Sequence, residues 1–550
     1  MAETDVSAIA HPRVWRRPEV SALGLNLAVA TYIMVVLNPG FWNTLRAIFP
    51  GSAANVAILG AAVWCLTLLL LALVSLPRLH RPLAAVMVLI AASAGYFHQS
   101  MGIIIDREMV RNVLETTVTE SRHLLTMDAA AQIFLTGVVP ALLLFVPRVK
   151  RPRLLHVLWR WPLGIVLGVA LTLGCLSLDY KANASVLREH HELMRLYQPG
   201  ATINAVLRYS REEMETAAIM ARPLGRDAVK GPLLQAAERP ILLVVFAGET
   251  VRAQNFGLAG YARDTTPGLR RRDVIYLDAT SCGTSTAVSV PCMFSPLNAR
   301  DYSRQGFLAS ENLLDVLAHA GIDVQWWDNN TGDQQIAART GWQRVDATLD
   351  PSACATGECT DAVFLPLLER ELAAIERDTV LVLHMIGSHG PAYYLRYPPE
   401  AAVFGPDCRT AQFSDCTAEE IVNAYDNSIL ETDRVLSAAI DMLQSDTRVL
   451  PALIYLSDHG ESLGEHGLYL HAAPRFMAPD VQTRVPFMMW LPQRFSEAMN
   501  IDMTCLSQSA GRPVSQDNLF HTVLGLADIR TGVRKPALDL TAGCRTTAGS

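Results

Sequence analysis

The stretch Ile241–Thr250 reads ILLVVFAGET: six apolar residues, two small ones, then an acid and a hydroxyl. A short continuous apolar run of this kind suits a strand covered on both faces. Similar runs recur at Val380–His384, at Leu453–Leu456 and in the run ending Val485–Leu491, with shorter candidates at Val274–Leu277 and Val324–Trp327. Helical patterns separate them. One is Glu311–Ala320, and a longer one opens at Thr417-Ala-Glu-Glu420, a capping box in which two side chains satisfy two orphan amides. Strands alternating with helices predict an α/β domain whose mostly parallel sheet is sandwiched by helices. In such sheets the chemistry collects at the carboxyl ends of the strands.

Those ends carry reactive side chains. Glu249 and Thr250 follow the first strand, and Ser281-Cys-Gly-Thr-Ser-Thr286 follows Val274–Leu277. His389 follows Val380–His384, while Asp458-His459-Gly460-Glu461 follows Leu453–Leu456, with His471 twelve residues after His459. If the sheet is built in this way, Glu249, Asp458 and His459 converge. Two oxygen donors and one nitrogen suit Zn²⁺ with a fourth position left for chemistry. A divalent cation lowers the pKa of a hydroxyl and polarises a phosphoryl oxygen, so one of Thr284, Ser285 and Thr286 becomes a candidate nucleophile for phosphoryl transfer. Residue chemistry alone does not choose among the three. A helix beginning at Thr286 would turn its free amides toward an incoming anion. A lone Glu after a strand is most often a surface or capping residue. Asp-His-Gly-Glu after a buried strand is a more specific signal. His389 and His471 are either satisfied polar residues or, beside a cation, groups for phosphate contact and proton transfer.

Outward from this domain the composition changes. Up to Leu178 the chain holds 14 Lys and Arg against 8 Asp and Glu; the remainder holds 32 against 45. Half of all residues are hydrophobic and 18% are charged, which excludes an intrinsically disordered chain. The acidic back argues against nucleic-acid binding. Five apolar stretches, about Val20–Leu37, Val56–Leu76, Leu83–Ile105, Ala129–Val146 and Trp161–Leu178, approach the length of a membrane-crossing helix. The first could be read as a signal peptide behind Arg13, Arg16 and Arg17, but no small-residue cleavage site follows and four more stretches do. Arg78 and Arg81 mark the second loop as cytoplasmic, and Arg148, Lys150, Arg151 and Arg153 mark the fourth. The expected organisation is a five-span transmembrane domain over 1–178 with a cytoplasmic amino terminus, amphipathic bridging helices over 179–238, and an extracytoplasmic catalytic domain over 239–550.

Cysteine usage points the same way. Cys65 and Cys175 lie within spans, and the other eight lie beyond them. Three close pairs, Cys282/Cys292, Cys354/Cys359 and Cys408/Cys416, read as disulfides of an oxidising compartment. Cys505 and Cys544 remain as a fourth pair by remainder.

The strings FAGETVRAQNFGLAGY, SCGTSTAVSVPCMFS, GSHGPAYYLRYP, YDNSILETD, LSDHGESLGEHGLYLH and DNLFHTVLG resemble those of the lipid A phosphoethanolamine transferases. That family includes the mobile colistin-resistance enzymes. The resemblance implies an alkaline-phosphatase/sulfatase-like catalytic domain, a bacterial inner-membrane location facing the periplasm, and a monomer. It puts the nucleophile at Thr286, zinc on Glu249, Thr286, Asp458 and His459 with a second ion left open, and the substrate-side histidines at His389 and His471. Asn112, Glu115, Thr116 and Glu120 resemble the family's donor-lipid loop. The implied reaction has two steps: Thr286 takes phosphoethanolamine from phosphatidylethanolamine, releasing diacylglycerol, and passes it to a phosphate of lipid A. One departure is Gln334, which stands after Asp328-Asn329-Asn330 where family members commonly carry Lys. Transfer to core sugars, phosphoglycerol transfer to a periplasmic glycan and a membrane-tethered phosphodiesterase are the alternatives. A sulfatase would carry a C/S-x-P-x-R signature, which does not accompany the threonine cluster.

Overall fold

A computed structural model describes residues 17–115, 122–150 and 154–545. Its contacts group into two compact units, Met1–Ser100 with Asp128–Ile203, and Met101–Met127 with Asn204–Ser550.

The first unit is helical. Ala53–Leu73, His80–Met101 and Leu158–Leu178 are long and apolar enough to cross a membrane. The expected first span, Val20–Leu37, forms the helix Ala22–Val36, and a second helix, Pro39–Ile48, follows it at 65°. Proline has no N–H to continue the ladder and disfavours helical backbone just before it, so the first helix stops short of Pro39. Asn38 stabilises the break: its Nδ2 donates to Ile33 O (3.0 Å) and Gln198 O (2.8 Å), and its Oδ1 accepts from Gln198 N (2.7 Å). The expected fourth span is the shorter helix Met127–Leu143, interrupted by a π-helical turn at Phe134–Val138 that runs into Pro140. The expected third span ends at Met101, because Gly102 takes a positive φ of 73°. Helices Tyr180–Glu189, His191–Leu196 and Gly200–Thr216 follow Leu158–Leu178.

The second unit is built on an eight-stranded sheet. In chain order its strands are β1 (Ile241–Gly248), β2 (Val274–Thr280), β3 (Asp323–Asp328), β4 (Gln343–Arg344), β5 (Thr379–His384), β6 (Leu450–Ser457), β7 (Arg484–Trp490) and β8 (Val514–Ser515). Their spatial order is β8-β2-β7-β6-β1-β5-β3-β4. All neighbours pair in parallel except β7, which runs antiparallel to both β2 and β6. Strands β1, β5 and β6 are buried along their whole length, the condition their continuous apolar runs require.

The helices that matter for the site are α1 (Arg107–Glu115), α2 (Thr286–Met293), α3 (Leu313–His319), α4 (Phe364–Ala374), α5 (Ala418–Ser445) and α6 (Asp517–Leu526). The Thr417 capping box forms: Glu420 N donates to Thr417 Oγ1 (3.2 Å) and Thr417 N to Glu420 Oε2 (2.7 Å). From α5, Tyr425 Oη donates to Thr250 O (2.7 Å) and accepts from Arg252 N (3.0 Å), fixing the chain just beyond β1. Four disulfides are present: Cys282–Cys292, Cys354–Cys359, Cys408–Cys416 and Cys505–Cys544.

Candidate active site

Parallel β1 and β6 run side by side with Gly248 opposite Ser457, so the next residues along each, Glu249 and Asp458-His459, emerge together. All three are fully buried. His459 Nε2 lies 3.4 Å from Glu249 Oε1 and 3.2 Å from Asp458 Oδ2. Its Nδ1 is 3.0 Å from Gly460 O, a contact that places the ring proton on Nδ1 and leaves the Nε2 lone pair facing the carboxylates. One donor atom each of Glu249, Asp458 and His459 lies within 4.8 Å of the others.

The hydroxyl of this group comes from β2. After that strand the chain turns through the Cys282–Cys292 bridge and enters α2, whose N-cap is Ser285 and whose first residue is Thr286. Thr286 Oγ1 donates to Glu249 Oε2 (3.0 Å) and sits 3.5 Å from His459 Nε2. Thr284 points elsewhere, donating to Ala473 O (2.7 Å). In the first turn of α2 the amides of Val288 and Ser289 donate to Ser285 O (3.1 and 2.9 Å), which leaves those of Thr286 and Ala287 as the ones an anion at the helix start would meet.

The donor set fits a divalent cation. Asp458 Oδ1 accepts from Thr250 N (3.0 Å) and His459 N (2.6 Å), while Oδ2 is buried with no hydrogen-bond donor. Burial first, and the Asp458 charge second, push the Glu249 carboxyl up to about 8. Burial likewise raises Asp458 to about 7, and burial with the His471 charge holds His459 well below the ordinary histidine range. Two buried carboxyls facing a lone-pair nitrogen are a costly arrangement that a cation relieves.

The two other histidines stand beside this cluster. The His471 ring centroid is 4.4 Å from that of His459 and 5.2 Å from that of His389. His471 Nδ1 is 2.9 Å from Glu461 Oε2, and Glu461 Oε1 accepts from Tyr393 Oη (2.7 Å). Burial alone would lower His471; the Glu461 carboxylate outweighs it and raises the imidazole to about 9. His459, Glu461 and His471 form a second group with metal-ligand spacing. Arg396 Nε donates to His389 O (2.8 Å) and so holds the backbone of that loop.

Of the donor-loop residues, Asn112 and Glu115 lie on α1, which packs against α2. Thr116 and Glu120 lie outside the described residues. Gln334 adopts a positive φ of 49°; its Nε2 donates to Thr331 Oγ1 (3.2 Å) and its carbonyl accepts from Arg304 Nη1 (3.1 Å). The residue sequence reasoning overlooked is Asn330. Its Nδ2 donates to Glu249 Oε2 (2.8 Å) and to Met385 O (2.8 Å). Its position after β3 was legible; that β3 ends two strands from β1 was not.

A buried acid–imidazole cluster at the carboxyl ends of a mostly parallel sheet defines the class: residues 241–529 match the sulfatase family. The remainder narrows it, since residues 63–214 match the family described as phosphoethanolamine transferase EptA/EptB. The chain is 39% identical to phosphoethanolamine transferase EptA of Escherichia coli K12, over 97% of this chain and 99% of that protein. It is 32% identical to phosphatidylethanolamine transferase Mcr-1 of Escherichia coli, over 92% and 96% of the two chains. The structure of the integral membrane lipooligosaccharide phosphoethanolamine transferase A of Neisseria meningitidis superposes with a TM-score of 0.91 at 33% identity, covering 96% of this chain and all of that one. The chain belongs to the phosphoethanolamine transferase family, and it is a membrane-associated transferase of phosphoethanolamine.

Proposed function

We propose that this protein transfers phosphoethanolamine from phosphatidylethanolamine to a phosphate of lipid A, through a covalent intermediate on Thr286. The observation that carries the reading is the placement of Thr286 Oγ1 at the start of α2, 3.0 Å from Glu249 and 3.5 Å from His459. Glu249, Thr286, Asp458 and His459 would hold a zinc ion. Bound zinc would supply Lewis acidity, lowering the pKa of the Thr286 hydroxyl and polarising a phosphoryl oxygen.

In the first step Thr286 Oγ1 gives up its proton and attacks phosphorus, the bond from phosphorus to the diacylglycerol oxygen breaks, and that oxygen takes up a proton as diacylglycerol leaves. His471, oriented by Glu461, and His389 face the site as the groups that hold the phosphate and move this proton. The Thr286 and Ala287 amides at the start of α2 receive the charge that grows on the phosphoryl oxygens. In the second step a phosphate oxygen of the acceptor attacks the same phosphorus, the bond from phosphorus to Thr286 Oγ1 breaks, and that oxygen regains its proton. Asn112, on the helix that packs against α2, supports donor binding, and the sequence assigns Thr116 and Glu120 the same role.

The same reading orients the molecule, with its helices in the bacterial inner membrane, its amino terminus in the cytoplasm and the sheet domain in the periplasm. Domain limits at 1–178, 179–238 and 239–550 follow the change in composition. The same reading takes the protein as a monomer. Two lipid substrates also favour an anchored enzyme, because anchoring confines the search to a plane.

The test is mass spectrometry of lipid A from a Gram-negative host expressing the wild type or Thr286→Ala. A phosphoethanolamine-sized increase with the wild type alone is expected, together with reduced polymyxin susceptibility. Unmodified lipid A with modified core sugars would move the acceptor. Phosphoglycerol on periplasmic glycans, or ethanolamine phosphate released to water, would replace the reaction.

A further inference from the structure

Two buried ionisable side chains have no task in this chemistry. Asp328 ends β3 and His384 ends the neighbouring β5, directly opposite each other in the parallel register. Neither is exposed. His384 Nδ1 lies 2.8 Å from Asp328 Oδ1 and 3.1 Å from Gly332 O, so a proton on Nδ1 ties the strand ends to the turn that follows β3. Arg344 approaches the other Asp328 oxygen at 3.6 Å.

That turn needs holding. Gln334 and Gln335 both have positive φ (49° and 68°), a conformation side-chain-bearing residues avoid and which persists only where surrounding contacts impose it. The turn also carries Asn330, whose amide bridges Met385 O and Glu249 Oε2. Thr250 Oγ1 donates to the other Glu249 oxygen (2.5 Å). The Glu249 carboxylate is thereby clamped on both sides, and one clamp hangs from the turn that His384 anchors. A second tether runs from Asn329 Nδ2 to Asp361 Oδ1 (2.9 Å), and Asp361 also accepts from Ile386 N and Gly387 N. Ser388 N then closes the ring on Glu249 O (3.0 Å).

We propose that Asp328 and His384 are positioning residues for the metal centre: the pair holds the Asn329–Gln335 turn so that Asn330 sets the orientation of the Glu249 carboxylate. This rests on Glu249 being a metal ligand. Outer partners of ligating side chains typically change metal affinity by about 10–100-fold. A pair that served stability alone would lower the melting temperature and leave the metal affinity of the folded protein unchanged.

The experiment uses the full-length protein in detergent, stripped of metal and titrated with zinc against a competing chelator, with melting temperature followed in parallel. His384→Leu should weaken zinc binding by about tenfold or more. His384→Asn, whose Nδ2 falls near the imidazole Nδ1, should recover most of the loss. Asn330→Ala combined with His384→Leu should bind zinc no more weakly than the poorer single variant, because both act through one contact. Wild-type zinc affinity in His384→Leu, or fully additive losses in the double variant, would overturn the inference. If His384→Leu does not fold, Asp328→Asn decides on the same criterion. Asp458→Asn separates the two levels: unchanged zinc affinity there would defeat the metal assignment itself.

Discussion

At the scale of single residues, the site separates hydroxyls that look alike in sequence. Thr284 spends its hydroxyl on Ala473 O, whereas Thr286 directs its own at Glu249. Thr286→Ala should reduce transfer about a thousandfold or more with the melting temperature almost unchanged, read by diacylglycerol release in detergent. Thr284→Ala should instead keep most of the activity and cost about 1 kcal/mol of stability by denaturant titration, the worth of one hydrogen bond. Equal losses of activity in both variants would remove the distinction. Gln334 has a residue-scale explanation too. Its side chain stays within the turn on Thr331, and the cation that reaches this turn is Arg304, through the Gln334 carbonyl.

Elements position these residues through a few ties that cross the loops. Arg396 is almost fully buried; one of its nitrogens holds His389 O and another donates to Glu358 Oε2 (2.8 Å), beside the Cys354–Cys359 bridge. Burial raises the Glu358 carboxyl, but His123 and Arg396 outweigh it and hold it at about 2. Glu358→Gln leaves a buried guanidinium without its carboxylate and should cost about 3 kcal/mol, measured by denaturant unfolding. Transfer should fall as well, because the His389 loop shares that anchor; full activity in a destabilised variant would uncouple the two. At the start of α2, the Cys282–Cys292 bridge closes a loop whose loss, as Cys282→Ser with Cys292→Ser, should cost about 2–3 kcal/mol.

For the whole molecule, stability is linked to metal and to pH. A cation that binds only the folded cluster stabilises by mass action, so zinc at about 100 times its dissociation constant should add about 2.7 kcal/mol. A melting temperature indifferent to zinc and to chelator would contradict the site. His521, buried on α6, accepts from Lys535 N (3.1 Å); burial and the Lys535 charge lower its imidazole to about 4. Unfolded histidine takes its proton near 6.5, so between about 6.5 and 4 the unfolded chain binds more protons than the folded one. Folding free energy contributed by His521 is complete above about 6.5 and is lost as the pH falls toward 4. His521→Gln should flatten that limb in melting curves of the full-length protein; an unchanged acid slope would assign it to other groups.

Runs such as ILLVVF and LIYLS determined by themselves that β1 and β6 are buried strands, because a sheet covered on both faces admits apolar residues on both. The acids, imidazoles and hydroxyls beyond those runs were legible for the same reason: strand ends are where polar groups can reappear. Spacing also marked three of the four cysteine pairs, and charge marked the apolar front. Strand order was not legible, since it depends on contacts between segments far apart in sequence, such as Ile241 with Leu450. Only the tertiary structure turned β7 antiparallel, set β3 and β5 side by side, and brought Asn330 to Glu249 across 81 positions of sequence. The helix break before Pro39 could be anticipated from proline's missing N–H. That the chain beyond it remains helical, at 65° to the first segment, was decided by packing and by the hydrogen bonds Asn38 makes to Gln198, which a linear reading of hydropathy does not contain.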